Sequence, residues 1–199
     1  MVHAFLIHTV HCRPGDEAGP CRVLYSRVFS PEGLDKGGCR DVEKERLCRK
    51  EQILAVARQA ESACKFSQQA SGKPASDHPL PLPDDSVSLQ DAPWGVFRLL
   101  RGDPFCEDKT VLWLGVHSLG FALVCDPHEN LMLAESALRL VAKLLLEHLK
   151  LLSSGSDVVL KADKTEVILG RLLPHGQLLF LNDQFARGLE REVAAALGK

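Results

Sequence analysis

Two short segments in the middle of the chain are apolar on both faces, and a long helical pattern follows them. In 111–116 the residues on both faces of the predicted strand are apolar, which is typical of a strand covered from both sides. Residues 121–125 have the same character, and only 117–120 separate the two segments. Because a parallel pair needs a long crossover, this spacing predicts an antiparallel hairpin at the centre of a sheet.

A mostly buried helix is predicted directly after this hairpin. Asp126 to Glu129 has the form of a capping box with proline at the first helical position, and Asn130 offers a second N-cap. Two apolar stripes at helical spacing then run to Leu152 and leave a narrow charged line. We expect this helix to lie on the sheet and to be covered again on its outer side.

The rest of the chain predicts three more strands and several helices. The strands are predicted at 2–11, 21–29 and 94–100, and a turn is predicted at 153–157. An amphipathic helix is predicted from Asp41 through Cys64, with Leu47 and Leu54 extending its apolar face. A short helix starts at an Asp163–Glu166 capping box and ends before Pro174, and Asn182 caps a last helix. The order predicts an α+β fold with a five-stranded antiparallel sheet and helices on both faces.

The composition changes at residues 67–92, which predicts a mobile, Pro/Ser-rich insert. Four prolines stand there among serine, aspartate and glutamine, and such a segment does not bury enough apolar surface to pack. Neither flank is complete alone, so we interpret 1–199 as a single domain that contains this insert.

Charge and composition exclude several classes of protein. The 199 residues carry a net charge of −2 and 45% hydrophobic residues, so there is no nucleic-acid footprint and no polybasic membrane patch. We expect no membrane span, because no segment approaches the roughly 18–20 uninterrupted apolar residues that a span needs. We expect no secretory signal, because the N-terminus lacks a basic region, a long apolar region and a small-residue cleavage site. The seven cysteines are odd in number and irregularly spaced, which favours reduced thiols in the cytosol.

The cysteines and histidines offer candidate zinc ligands and nucleophiles. The first predicted hairpin carries four candidate zinc ligands on its strands and loop: His8, His11, Cys12 and Cys21. They lack the spacing of zinc ligands, so we interpret them as separate strand and loop residues. The chain has no nucleophile elbow, and the glycines at 33, 37 and 38 lack the ending of a phosphate loop. We therefore expect no catalytic residues, no cofactor and no metal.

Five strings along the chain carry a family resemblance. They are MVHAFLIHT, CRVLYSRVF, KEQILAVARQAES, WLGVHSLGFALVCDPHENLMLAES and LPHGQLLFLNDQF. Together they resemble the small (sigma) subunits of the fifth adaptor protein complex, over nearly the whole chain apart from the loop after Ser30 and the Pro-rich insert. The resemblance implies a longin-like (SNARE-like) domain.

The resemblance also implies a function. Adaptor complexes of this kind are heterotetramers that sort cargo in vesicle-mediated, endosomal protein transport at late endosomes and lysosomes. A small chain of this type packs against a large zeta chain, beside a large beta chain and a medium mu chain, and works with spatacsin and spastizin. It would be cytosolic and would reach membranes only peripherally, through the complex.

Two candidate sites follow from the resemblance and the sequence. Related small chains use a basic residue at the start of the second strand to read acidic dileucine signals, and Arg22 stands at that position. The next basic position is replaced by Tyr25 and Ser26, so we interpret Arg22 as a surface charge on an edge strand. The apolar run near the C-terminus suggests a partner-binding surface at Leu179, Phe180 and Phe185, with ordinary core packing as the alternative.

Other functions remain open at this point. A longin-type subunit of a small-GTPase regulatory complex would share the fold and also lack catalytic residues. A small cysteine-dependent enzyme would need a thiol of low pKa.

Overall fold

The computed structural model describes residues 1–10, 21–29, 42–70, 89, 92–102, 104–149, 155–180 and 182–198. Its elements in chain order are β1 (Val2–Thr9), β2 (Val23–Val28), α1 (Val42–Ala70), β3 (Trp94–Leu99), β4 (Lys109–Val116), β5 (Leu119–Cys125), α2 (Leu131–Leu149), α3 (Gly155–Leu160), α4 (Ala162–Leu172), a 3₁₀ turn (Pro174–Gly176) and α5 (Asp183–Ala196). The predicted α+β class is confirmed.

The five strands form one antiparallel sheet in the order β2-β1-β5-β4-β3. Strands β4 and β5 are joined by only two residues, and His117 adopts a left-handed conformation with φ 54° at the start of the turn. Both strands are buried along their whole length. The predicted central hairpin is therefore confirmed, with a tighter connection than expected.

Helix α1 covers one face of the sheet. Its small buried side chains Ala57, Ala60 and Cys64 face an apolar layer from the three central strands. The sulfur of Cys64 lies so close to β4 that a Cβ added at Gly115 would come within 2.6 Å of it. Small residues on both elements thus allow the helix to approach the sheet closely.

Helices α2, α4 and α5 cover the opposite face. The inward-facing side chains of β1, β4 and β5 on this side include Phe5, Leu112 and Phe121, and they form one buried cluster with residues of the three helices. The predicted arrangement of helices on both faces of the sheet is confirmed. The N-terminal strand and the C-terminal helix share this core, because Leu189 and Val193 of α5 are buried in it.

Several local predictions need correction. Helix α2 begins at Leu131, and the side-chain oxygen of Asn130 accepts hydrogen bonds from two backbone amides of its first turn at 3.1 Å. The predicted Asp126 capping box is wrong, because Asp126 instead pairs with Lys109 at 3.1 Å.

Helix α4 begins one residue before Asp163 and has no side-chain cap, so the predicted box there is also wrong. Its predicted end before Pro174 is confirmed.

Three further boundaries differ from expectation. Helix α3 starts at Gly155, inside the segment predicted as a turn, and α1 continues through Ala70, past the predicted start of the insert. Leu47 was expected on the apolar face of α1 but is 57% exposed. Residues 71–88, which make up most of the predicted insert, lie outside the described residues.

Candidate partner-binding surfaces

The C-terminal apolar run leaves two phenylalanines on the surface. Leu179 is half-buried and packs against the core cluster of α2, α4 and α5, whereas Phe180 is 78% exposed. Phe185, in the first turn of α5, is 42% exposed. Of the two alternatives for this run, core packing applies to Leu179, whereas the two phenylalanines face outward and remain candidates for a partner-binding surface.

Helix α5 is capped and held in place by contacts that do not involve the two phenyl rings. The side chain of Asn182 accepts a hydrogen bond from the backbone amide of Phe185 at 2.7 Å, which confirms the predicted N-cap. Lys143 on α2 pairs with Glu190 at 2.9 Å, and the hydrogen bond to this carboxylate raises the pKa of Lys143. Phe185 is thus presented by a helix that is fixed independently of its phenyl ring.

Arg22 lies just before edge strand β2 with an exposed side chain. Its backbone amide donates to the hydroxyl of Thr9 at 3.0 Å, and its carbonyl accepts from the amide of Thr9 at 2.9 Å. Among the described residues, no hydrogen bond, ion pair or ring contact joins Arg22 to Leu179, Phe180 or Phe185. The structure therefore does not bring the two candidate sites together.

Tyr25 of β2 is directed toward α4. Its hydroxyl donates a hydrogen bond to the carboxylate of Glu166, and burial followed by this carboxylate raises the pKa of Tyr25. The guanidinium of Arg27 lies 2.9 Å from Glu166 and 4.9 Å from the centre of the Phe29 ring. These contacts attach the edge strand to α4.

A groove that the sequence did not predict runs between α1 and the other face of β2. Its volume is about 620 Å³. It is lined by Val23, Ser26, Val28, Arg46, Arg49, Lys50, Ile53 and Leu54, and we call it the α1–β2 groove. Its signal in the sequence is a set of basic and apolar residues at helical spacing from 46 to 54, of which the sequence pattern predicts only the apolar ones, as part of the apolar face of α1.

One cysteine–histidine pair comes together beneath the start of β2. The sulfur of Cys21 lies 3.8 Å from Nδ1 of His8. Burial, followed by the charge of Glu61, raises the pKa of Cys21 to about 11, and burial lowers the pKa of His8. Since a nucleophilic cysteine needs a thiolate, and these shifts keep both groups neutral near pH 7, the pair does not have the electrostatics of a reactive thiol.

Within the described ranges, no group of three or more His, Cys, Asp or Glu residues is arranged to hold a metal ion. His11 and Cys12, from the set considered above, lie outside those ranges. None of the helices in the described part of the chain is both long and apolar enough to cross a membrane.

Comparison with known proteins identifies the family. A family model described as AP-5 complex subunit sigma-1 matches residues 1–194. The chain belongs to this family. The AP-5 complex subunit sigma-1 of Homo sapiens is 57% identical over 197 residues, which cover 98% of both chains. The protein of the same name from Mus musculus is 56% identical over 154 residues, 77% of this chain and 91% of the mouse protein.

Membership of the AP-5 sigma-1 family confirms the resemblance found in the sequence. It makes the chain a small subunit of an adaptor complex. The five-stranded antiparallel sheet with helices on both faces agrees with the longin-like fold that the resemblance implied.

Proposed function

We propose that this AP-5 sigma-1 family member is a non-enzymatic, structural subunit of a heterotetrameric adaptor complex, packed against a large zeta-type chain. The match to a protein named AP-5 complex subunit sigma-1 over 98% of both chains carries the proposal. The neutral Cys21–His8 pair supports the non-enzymatic part, because the raised pKa of this thiol and the lowered pKa of this imidazole are wrong for nucleophilic catalysis.

The proposed complex also contains a large beta chain and a medium mu chain and works with spatacsin and spastizin. It acts in vesicle-mediated, endosomal protein transport and cargo sorting at late endosomes and lysosomes. The chain itself stays cytosolic and meets these membranes only peripherally. No cofactor or metal is part of this proposal.

We assign the contact with the zeta-type chain to a C-terminal surface made of Leu179, Phe180 and Phe185. Two exposed phenylalanines close together in sequence are unusual on a surface that meets only water, and aromatic residues are enriched in protein interfaces. Leu179, which precedes Phe180 in the chain, packs on the core. Arg22 is assigned no role in reading cargo signals, since Tyr25 in the neighbouring position is engaged by Glu166.

We treat residues 1–199 as a single domain that contains an insert after α1, within the predicted 67–92 segment. Support comes from β1, at one end of the chain, which pairs with β5, and from α5, at the other end, which packs on the same core.

Affinity purification tests the proposal. The tagged full-length chain would be captured from cytosol of cultured cells, and the co-eluting proteins identified by mass spectrometry. Stoichiometric recovery of zeta-type, beta and mu adaptor chains is the expected result. Recovery of a small GTPase whose nucleotide exchange the eluate alters, without adaptor chains, would instead support the longin-type regulatory subunit.

A further inference from the structure

We propose that the edge strand β3 pairs with β3 of a second copy of this chain, antiparallel and centred on Val96. The two five-stranded sheets would then join into one continuous sheet. This inference goes beyond the proposed function, which places the contact with the zeta-type chain on the C-terminal surface and involves no residue of β3.

The outer backbone groups of β3 are available for pairing. Among the described strands, β3 pairs only with β4. The amide of Gly115 donates to the carbonyl of Pro93 at 2.8 Å, and hydrogen-bonded pairs alternate along an antiparallel ladder. The amides and carbonyls of Trp94, Val96 and Arg98 therefore point away from β4, and no protein group within the described ranges bonds to them. Such a row of groups is a template for another strand.

One face of β3 carries exposed side chains beside this open edge. Trp94, Val96 and Arg98 alternate on that face, and Trp94 and Val96 are 42% and 41% exposed. The other face is half-buried, because Phe97 and Leu99 pack on the core cluster beneath α1. Two apolar side chains are thus left in water at a position where a further strand would contact them.

The sequence of β3, WGVFRL, is complementary to itself when two copies run antiparallel about Val96. In that register Val96 lies opposite Val96 of the second copy, and Trp94 lies opposite Arg98. Apolar pairs directly opposite each other stabilise an antiparallel pair, and an arginine over an indole ring adds a cation–π attraction. Gly95 lies opposite Phe97, so two large side chains do not meet on the α1 side. This self-complementarity indicates that the partner is a second copy.

The charges near the edge permit this pairing. The guanidinium of Arg139 on α2 lies 5.4 Å from the centre of the Trp94 ring and pairs with Glu135 at 2.8 Å. Part of the Trp94 ring is still exposed and can contact Arg98 of the second copy. In the part of the chain that the structure describes, Arg98 has no ion-pair partner, so the new contact breaks no existing one.

Sedimentation velocity of the full-length chain, over a concentration series into the high micromolar range, tests the inference. A pair of six-residue strands is small for a protein interface, so we expect a reversible monomer–dimer equilibrium with Kd in the micromolar range. Val96→Asp places two carboxylates opposite each other and should weaken self-association roughly tenfold or more.

Val167→Asp on α4 is the matched control. Val167 is 38% exposed, so the substitution makes the same change of charge at a similar exposure, and it should leave self-association unchanged. Circular dichroism establishes that each variant is folded. Should Val96→Asp fail to fold, the comparison of Val96→Lys with Val167→Lys takes its place, because lysine is well tolerated on edge strands.

A charge swap tests the register. Val96→Lys alone should weaken self-association, as Val96→Asp does. An equimolar mixture of the two variants should associate at least tenfold more tightly than either variant alone, because the side chains at position 96 are then opposite charges. Only a pairing that brings position 96 of one copy opposite position 96 of the other predicts this rescue.

Three outcomes overturn the inference. They are a wild-type chain that stays monomeric over the whole concentration range, equal self-association of the position 96 and position 167 variants, and a mixture that associates no more tightly than its components. Because these measurements use the isolated chain, their failure leaves the co-purification result untouched.

Discussion

The hydroxyl of Tyr25 on edge strand β2 donates a hydrogen bond to the carboxylate of Glu166 on α4, 141 residues away in the chain. Edge strand β2 pairs only with β1 among the described strands, so side-chain contacts of this kind decide how firmly it is held. Burial and the neighbouring carboxylate raise the pKa of Tyr25, which keeps the hydroxyl protonated and able to donate throughout the neutral range.

Tyr25→Phe should therefore destabilise the fold through the loss of one hydrogen bond. Glu166 is 52% exposed on its side chain, so we expect a modest cost of about 1 kcal/mol in the free energy of unfolding. Urea unfolding measures it, and the variants Glu166→Ala and Tyr25→Phe/Glu166→Ala, which remove the acceptor, complete a double-mutant cycle. Strict additivity of the two single effects would mean that the hydrogen bond contributes nothing.

Close packing of α1 on the sheet makes Gly115 sensitive to substitution. In Gly115→Ala the new methyl group would meet the sulfur of Cys64 at 2.6 Å, and such overpacking costs about 1–3 kcal/mol. Adding Cys64→Ala removes the sulfur, and the nearest remaining atom, in the Pro93 ring, is at an ordinary 3.5 Å. The double variant should thus be more stable than Gly115→Ala in thermal unfolding. A double variant that is less stable would show that another contact causes the strain.

The sheet and its two covering layers were predictable because each central strand is apolar on both faces. That pattern is local, and it needs only the alternation of side chains along a strand. The N-cap at Asn182 was predictable for the same reason, since the capping side chain and the amide it binds are three residues apart.

The wrong start of α2 has a non-local cause. Asp126 and Asn130 are both good N-cap residues, but Asp126 lies beside the ammonium group of Lys109, whose side chain is only 3% exposed. Burial alone would raise the pKa of Asp126, yet the hydrogen bond and charge of Lys109 outweigh it and the pKa is lowered. A contact between residues 17 positions apart is not visible in local spacing.

The α1–β2 groove was missed for a related reason. Ile53 and Leu54 have the spacing of core residues, and only the position of the sheet edge decides whether they are covered. Because β2 ends the sheet, no further strand covers them among the described residues. Exposure of the two phenylalanines near the C-terminus likewise depended on how α5 docks.

Asn130→Ala should destabilise α2 measurably, as it removes the acceptor for two backbone amides. The expected cost is about 1 kcal/mol, which corresponds to a fall of about 2–4 °C in Tm for a domain of this size. Differential scanning calorimetry measures the shift. Asn130→Asp is the control, because a carboxylate accepts the same hydrogen bonds and favours the helix N-terminus, so it should retain wild-type stability.

His8 should make the fold less stable in mild acid. Its ring packs against Gly120, its Nε2 has no hydrogen-bond partner among the described residues, and Glu61 only partly offsets the burial that lowers its pKa. The unfolded chain, with a pKa near 6.5, then binds a proton more readily than the folded chain. The contribution of neutral His8 to the free energy of unfolding is complete above pH 6.5. It is lost as the pH falls from there toward the lowered pKa of His8 in the folded chain.

Urea unfolding at several pH values between neutral and mildly acidic checks this pH dependence. The free energy of unfolding should fall with pH more steeply for the wild type than for His8→Gln, which cannot take up the proton. Parallel pH profiles for the two proteins would contradict a buried neutral His8. Far-UV circular dichroism of His8→Gln at neutral pH establishes that the variant is folded.

The C-terminal surface offers a comparison between two exposed phenylalanines. Phe180 is 78% exposed beside α5 and Phe66 is 73% exposed on α1, on the other face of the sheet. Either Phe→Asp change should alter stability by less than about 0.5 kcal/mol, as is usual for surface positions. Only Phe180→Asp should reduce co-purification of the zeta-type chain, by tenfold or more if the phenyl ring is a central anchor of the interface worth about 2 kcal/mol. Equal recovery of the zeta-type chain with both variants would remove the C-terminal surface from the proposed interface, whereas loss with Phe66→Asp alone would move the interface to α1.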